Sequence, residues 1–317
     1  MDWNSHYPAP AKLNLFLHVI GRRADGYHLL QTLFRLIDRG DTLHFSPRDD
    51  EQIVLTNPLP GVPADADLTV RAARLLQKEA ASSGAHCGGG LGVDITLEKK
   101  LPMGGGLGGG SSDAATVLLA LNHLWGLHWP RQRLQALALS LGADVPFFIF
   151  GRSAFAEGVG EQLQEVRLPP AWYLVLVPNV NVPTQAIFAA PELTRNTNPL
   201  KMADFSASTL HFEGSLAGFP ASLPPKLLKK SLSFSEMRND LEAVVASRYP
   251  AVAQAIECLQ QFTDARMTGS GACVFAPFET ENEALKLRER ICTEMPNMIA
   301  WVSQGIDEHP LYALAGE

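Results

Sequence analysis

Long hydrophobic runs, paired cysteines and blocks of basic charge are all missing from this chain. No stretch reaches the roughly 18 consecutive apolar residues of a membrane span, so no membrane partner is expected. The four cysteines, Cys87, Cys258, Cys273 and Cys292, form no C-x-x-C pair. That spacing argues against a zinc site or a disulfide frame, and for reduced thiols in a cytoplasmic protein. The histidines are scattered and no H-E-x-x-H occurs, which removes the zinc-protease reading. Formal net charge is −7 over 317 residues with no long basic run, so nucleic acid is not the expected partner. The N-terminus, MDWNSHYPAPAKLNLFLHVIGRR, lacks the charged, apolar, small-residue layout of a signal peptide. Internal repeats are also lacking. What is left, 46% hydrophobic and 19% charged residues, is ordinary for a globular enzyme long enough for two domains or one large one.

What is abundant is glycine in one place. Six of the seven positions from Gly104 to Gly110 are glycine, followed by Ser111 and Ser112 and then by an apolar helical pattern. Glycine tolerates φ > 0 and lets a ligand approach the backbone. Bare N–H groups leading into a helix N-terminus favour negative charge. The segment therefore reads as a phosphate cradle, with Ser112 and Asp113 as N-cap types for the helix. No lysine follows the glycines, so the P-loop pattern is not met. Gly104, Gly106 and Gly109 do satisfy G-x-G-x-x-G, but Pro102 and Met103 separate the preceding strand pattern VDITLEKKL from the first glycine. No Asp or Glu lies between Asp113 and Asp144 to hold a ribose, and a dinucleotide fingerprint needs both features.

Elsewhere the pattern mixes strands and helices. Ala11 to Ile20 alternates, with Lys12, Asn14 and His18 on one face and leucines and Val19 on the other, which predicts a strand. Asp25-Gly26 is a hairpin signal. Leu29 to Asp38 fits strand or helix, and DTLHFSPR and QIVLT read as short strands. Asp67 to Gly84 predicts a helix with an acidic start and a glycine stop. Near Pro169-Pro170 the pattern resets, and WYLVLVPN predicts a strand. Residues 196–230, rich in Ser, Pro and Asn, predict a long surface loop. Two helical patterns, a glycine turn at MTGSGA between strand-like segments, a helix and a strand complete an α+β chain.

A few residues stand out chemically. Lys12 by itself reads as a solvent-facing lysine on a strand. Asp144, in LGADVPFF, reads as an N-cap, yet an acid pressed against Val145, Phe147 and Phe148 is partly desolvated and needs a partner or a function. Tyr27 and His28 offer a planar ring beside a donor and acceptor for a base edge.

Together, PAKLNLFLHVIGRRADGYH, LPMGGGLGGGSSDAA, LGADVPFF and MTGSGACVFA resemble the GHMP small-molecule kinases, in the family's order and over nearly the whole chain. The first and third look like those of members acting on a cytidine diphosphate methylerythritol in the non-mevalonate route to isoprenoids. The resemblance implies a two-domain α+β GHMP-kinase fold, with a ribosomal protein S5 domain 2-like N-terminal domain over 1–165. A C-terminal α/β-sandwich domain over 166–317 and an active site in the cleft between them complete it. It implies phosphorylation of the acceptor's 2-hydroxyl by ATP with Mg²⁺. Asp144 would take the hydroxyl proton, and Lys12 would orient Asp144 and stabilise charge on the transferred group. Pro102, Met103, Gly104, Gly105, Gly106, Leu107, Gly108, Gly109, Gly110, Ser111 and Ser112 would wrap the phosphates, with Ser111 or Ser112 near Mg²⁺. Asn14, Tyr27 and His28 would hold the cytidine diphosphate end, Phe188 would close its other face, and Thr184 would lie nearby. Asp67 departs from the family, where Asn is expected on the adenine side, and the metal ligands stay unassigned. The partner is a small molecule, with a monomer or weak homodimer as the expected assembly. A sugar, homoserine or mevalonate kinase of the same family is the nearest alternative, opposed by Gly26-Tyr27-His28 with Phe188. A non-catalytic nucleotide-binding module is opposed by the presence of both Lys12 and Asp144.

Overall fold

The computed structural model describes residues 1–84, 90–201 and 237–316. The long strands β1 (Tyr7–Arg22) and β2 (His28–Arg48) form an antiparallel hairpin closed at Asp25-Gly26, where Gly26 takes φ +92°. Leu29 to Asp38 thus resolves as strand. It runs without a break into the segment expected as a separate strand, because β1 pairs with it from His28 to Leu43 and β4 from Thr42 to Arg48. There follow β3 (Ile53–Leu55), α1 (Leu68–Ser82), β4 (Gly92–Glu98), α2 (Gly109–Leu124), α3 (Arg131–Ala138), α4 (Val145–Phe150), β5 (Ala154–Glu157) and β6 (Gln162–Glu165). The second half carries β7 (Trp172–Val177), α5 (Thr184–Phe188), α6 (Glu242–Arg248), α7 (Pro250–Gln260), β8 (Arg266–Met267), β9 (Val274–Phe278), α8 (Glu281–Glu294) and β10 (Ile299–Ile306).

The strands join in the order β3-β4-β2-β10-β7-β9-β8, with β1 and the β5–β6 hairpin also on β2. The link between the halves is β10. Six of its residues pair with β7, but only Gly305 and Ile306 reach β2. Helix α2 is sunk into the first half, buried from Ser112 through Asn122, because its apolar residues run all round rather than along one stripe. A second core lies beneath α6, α7 and α8 and takes in Leu17 and Val19 of β1. A third sits between them and includes Leu101, Leu107 and Cys273, so the glycine loop is part of the packing at the junction. The last residues return to the first half, where Arg131 binds the carbonyls of Tyr312 and Ala315. Residues 202–230 of the Ser/Pro-rich stretch, and Cys87, lie outside the described residues. Among the described residues, no helix is long and apolar enough to cross a membrane.

Candidate active site

A cleft of about 970 Å³ opens along the junction, lined by the glycine loop, the start of β1, the β1–β2 turn and the start of α5. Both faces of β1 are buried here, so the face expected toward solvent is covered. Lys12 is 3% exposed, Asn14 2% and His18 3%. Over Lys12 the cover is the glycine loop, whose Leu107 carbonyl accepts from the Lys12 N–H at 3.0 Å. A buried ammonium must be paired. Lys12 Nζ lies 3.4 Å from Asp144 Oδ2 and donates to Asn14 Oδ1. Asn14 in turn donates to Thr32 Oγ1 at 2.8 Å, and its backbone N–H donates to Thr268 Oγ1 at 3.0 Å. The Asn14 side chain is therefore engaged at both ends in holding Lys12. Asp144 occupies the N-cap position of α4 but makes no capping bond; its carboxylate, 36% exposed, faces Lys12 and the cleft.

The loop keeps its shape because other groups occupy the space a side chain would need. Gly104, Gly106 and Gly108 have φ of +68°, +75° and +72°. A Cβ on Gly106 would run into the Thr268 carbonyl, and one on Gly108 would stand 3.1 Å from Lys12 Cε. The second glycine turn, Gly269 to Gly271, packs against this loop. Ala272 and Cys273 donate backbone bonds to the carbonyls of Gly104 and Gly105 at 3.3 and 3.1 Å. Asn239 Nδ2 braces that turn through the Met267 and Gly269 carbonyls, both at 2.8 Å. The sequence reading missed Asn239, since nothing local marks it.

The helix start differs from expectation. The N-cap is Gly108 in the left-handed conformation, and α2 begins at Gly109. Ser112 and Asp113 lie inside the helix, where tertiary partners claim them. Ser112 is fully buried behind the wall and donates to the Pro10 carbonyl at 2.6 Å, whereas Ser111 lines the cleft. Asp113 meets Lys99 Nζ at 2.7 Å, and Asp41 meets it at 2.6 Å. Asp41 also accepts from the backbone N–H groups of Lys100 and Leu101. This buried trio at the base of the loop was not foreseen. Burial pushes the Asp113 carboxyl up to about 7, against the pull of Lys99. Asp67 caps α1 by accepting from the Thr69 N–H at 2.8 Å.

At the far end, Tyr27 is 64% exposed, presenting its ring to the cleft. His28 packs on Phe188 with ring centroids 5.0 Å apart. Thr184 Oγ1 is 2.7 Å from Ser270 Oγ, which ties α5 to the second glycine turn. The structure thus groups every expected site residue on one cleft or directly behind its wall. Its two ends are chemically distinct, with amides and Lys12–Asp144 at one and aromatic rings at the other. Such a cleft can position a polyanion beside an acid–lysine pair and hold a planar base at a distance.

The GHMP kinases N terminal domain family matches residues 67–152, and the GHMP kinases C terminal family matches 225–297. A protein of Thiobacillus denitrificans named 4-diphosphocytidyl-2-C-methyl-D-erythritol kinase is 58% identical over 311 residues, covering 98% of this chain and 99% of its own. One of the same name from Herminiimonas arsenicoxydans is 55% identical, covering 97% of each chain. A solved 4-(cytidine 5'-diphospho)-2C-methyl-D-erythritol kinase superposes with TM-score 0.69 at 33% identity, covering 95% of this chain and 99% of that one. A homoserine kinase from Cytophaga hutchinsonii, at 16% identity and TM-score 0.64 over 96% of this chain and 94% of its own, shares the fold.

Proposed function

This chain belongs to the GHMP kinases and, within them, to the 4-diphosphocytidyl-2-C-methyl-D-erythritol kinases, and from that premise we propose how its cleft divides the work. The protein is a small-molecule kinase. It phosphorylates cytidine diphosphate methylerythritol, at the 2-hydroxyl in our reading, with ATP as co-substrate, in the non-mevalonate pathway to isoprenoid precursors. The observation that carries the residue roles is the Lys12–Asp144 pair at 3.4 Å beside a loop of free backbone amides.

Phosphoryl transfer asks chiefly for positioning and charge stabilisation. Asp144 accepts the proton of the attacking hydroxyl. Lys12, fixed by Asn14, orients that carboxylate and offsets negative charge on the group in flight. The amides of Gly104–Gly110 and the N-terminus of α2 hold the ATP phosphates. The cradle fits that load: the glycine loop lines the cleft and leads directly into the N-terminus of α2. Mg²⁺ would supply further neutralisation of phosphate charge. Ser111, on the cleft wall at the start of α2, offers an oxygen of the hard kind this ion takes. Tyr27 and Phe188 flank the cytosine, His28 contacts its edge, and Thr184 lies beside the pyrophosphate link. We also retain a division into domains 1–165 and 166–317, supported by family matches on either side of it, and a cytoplasmic monomer or weak homodimer.

The test is substrate-dependent ADP release in wild type beside Asp144→Asn and Lys12→Ala. Loss of a general base costs about 10²–10⁴ in rate, and loss of one charge-stabilising donor about 10²–10³. Turnover that is indifferent to either change would remove the assigned roles.

A further inference from the structure

Arg195 has no part in the roles above, yet four of its five N–H donors are spent on the wall of the aromatic end. Its Nη2 donates to the Phe188 carbonyl at 2.9 Å and the Ala190 carbonyl at 2.7 Å, and Nη1 donates to the Leu193 carbonyl at 3.0 Å. Its Nε donates to His28 Nε2 at 3.1 Å. A guanidinium never accepts and does not lose its proton in proteins. His28 Nε2 is therefore the acceptor, the ring is neutral, and its single ring proton sits on Nδ1. One side chain thereby joins the backbone carrying Phe188 to the ring stacked against Phe188.

We propose that Arg195 is the positioning residue that sets base specificity, by fixing His28 as an Nδ1–H donor held against Phe188. The inference rests on the reading of this pocket as the cytidine site. A donor at that place suits a pyrimidine whose ring N3 is an acceptor, as in cytosine. It opposes one whose N3 carries a proton, as in uracil. A buried donor left facing a donor loses its bond and its hydration together.

The surrounding charges favour the same state. Arg22 is the cross-strand partner of His28. The acids nearby are already paired, Asp25 with Arg23 and Glu192 with Arg248. Burial first, then Arg195 and Arg22, hold the imidazole below its ordinary range.

The experiment compares full-length wild type, Arg195→Met and Arg195→Lys, with the cytidine acceptor and its uridine analogue, from about pH 6 to pH 8.5. Histidine ¹⁵N–¹H long-range spectra of the wild type report the His28 tautomer directly. A lost charge-assisted bond should raise KM for the cytidine acceptor about 10–100-fold in Arg195→Met. Its kcat and KM for ATP should stay within about twofold, and its cytidine-over-uridine preference should collapse. The inflection of KM with pH should move upward in Arg195→Met and stay put in Arg195→Lys, which keeps the charge. Unchanged KM and base preference in a folded Arg195→Met, or a wild-type His28 proton on Nε2, would overturn the proposal. A variant that fails to fold leaves the decision to the wild-type tautomer. Wild type that ignores the cytidine acceptor would refute the pocket reading instead, while the tautomer still reports on Arg195 and His28.

Discussion

Placing alanine at two glycines of one loop should give opposite results. Gly108 has φ +72°, and a Cβ there would stand 2.9 Å from Phe148 Cζ and 3.1 Å from Lys12 Cε. Carbon atoms prefer about 3.5–4.0 Å, so Phe148 and Lys12 must each retreat by roughly half an ångström or more. The left-handed backbone costs an alanine about 1–2 kcal/mol, overpacking about 1–3 kcal/mol, and the stiffer unfolded chain returns about 0.4–1 kcal/mol. The net is a destabilisation of about 1–5 kcal/mol. Because the atom displaced belongs to Lys12, turnover should also fall, by about 10–100-fold on the scale at which a misplacement of about 1 Å costs about 10². Gly110 has no positive φ, and its nearest neighbour would be Leu68 Cδ1 at 3.5 Å, an ordinary contact. Gly110→Ala should gain about 0.5–1 kcal/mol from helix propensity. Urea unfolding of both variants and steady-state kinetics of Gly108→Ala test this. Equal stability for the two, or full activity in Gly108→Ala, would refute the claim that the loop is shaped by contact with Lys12.

Other perturbations follow from the same geometry. Lys99→Met would strand Asp41 and Asp113 without their cation and should cost about 3–5 kcal/mol, read by denaturant unfolding. The folded chain holds the Asp113 proton up to about pH 7, whereas the ordinary aspartate value is 3.8. Its contribution is therefore fully present below about pH 4 and is lost as pH rises toward 7. Asp113→Asn should thus gain on wild type steadily between about pH 4 and pH 7 and level off above it; a gap constant with pH would contradict the assignment. Phe188→Ala should raise KM for the cytidine acceptor by about 10–100-fold, the value of one aromatic–base stack at about 1–3 kcal/mol. It should leave KM for ATP alone; isothermal titration with each ligand separates the two.

Much of this was legible because it is local. The glycine run, the helix from Asp67 and the Asp25-Gly26 turn each carry their own chemistry within a few residues. Lys12 and Asp144 emerged as a pair only through the family resemblance, since 132 positions separate them. What alternation misread was the polar face of β1: period two distinguishes two faces but does not say that both are covered, here by the glycine loop on Lys12. The helix start misled for a related reason. Ser112 and Asp113 are good caps in isolation, but Pro10 and Lys99 engage them, and a left-handed glycine begins the helix instead. Asp41, Lys99 and Asp113 come from a strand, the loop after β4 and a helix, and Arg195 lies in a stretch without periodicity. No local pattern announces such residues.

The most direct test of the account is ADP formation from ATP and Mg²⁺ with and without the cytidine diphosphate methylerythritol acceptor, in wild type and in Asp144→Asn. The account requires acceptor-dependent ADP release in wild type, reduced about 10²–10⁴-fold in the variant with binding of the acceptor retained. Tight binding of the acceptor without turnover in wild type, or turnover only with an alcohol lacking the cytidine, would contradict it.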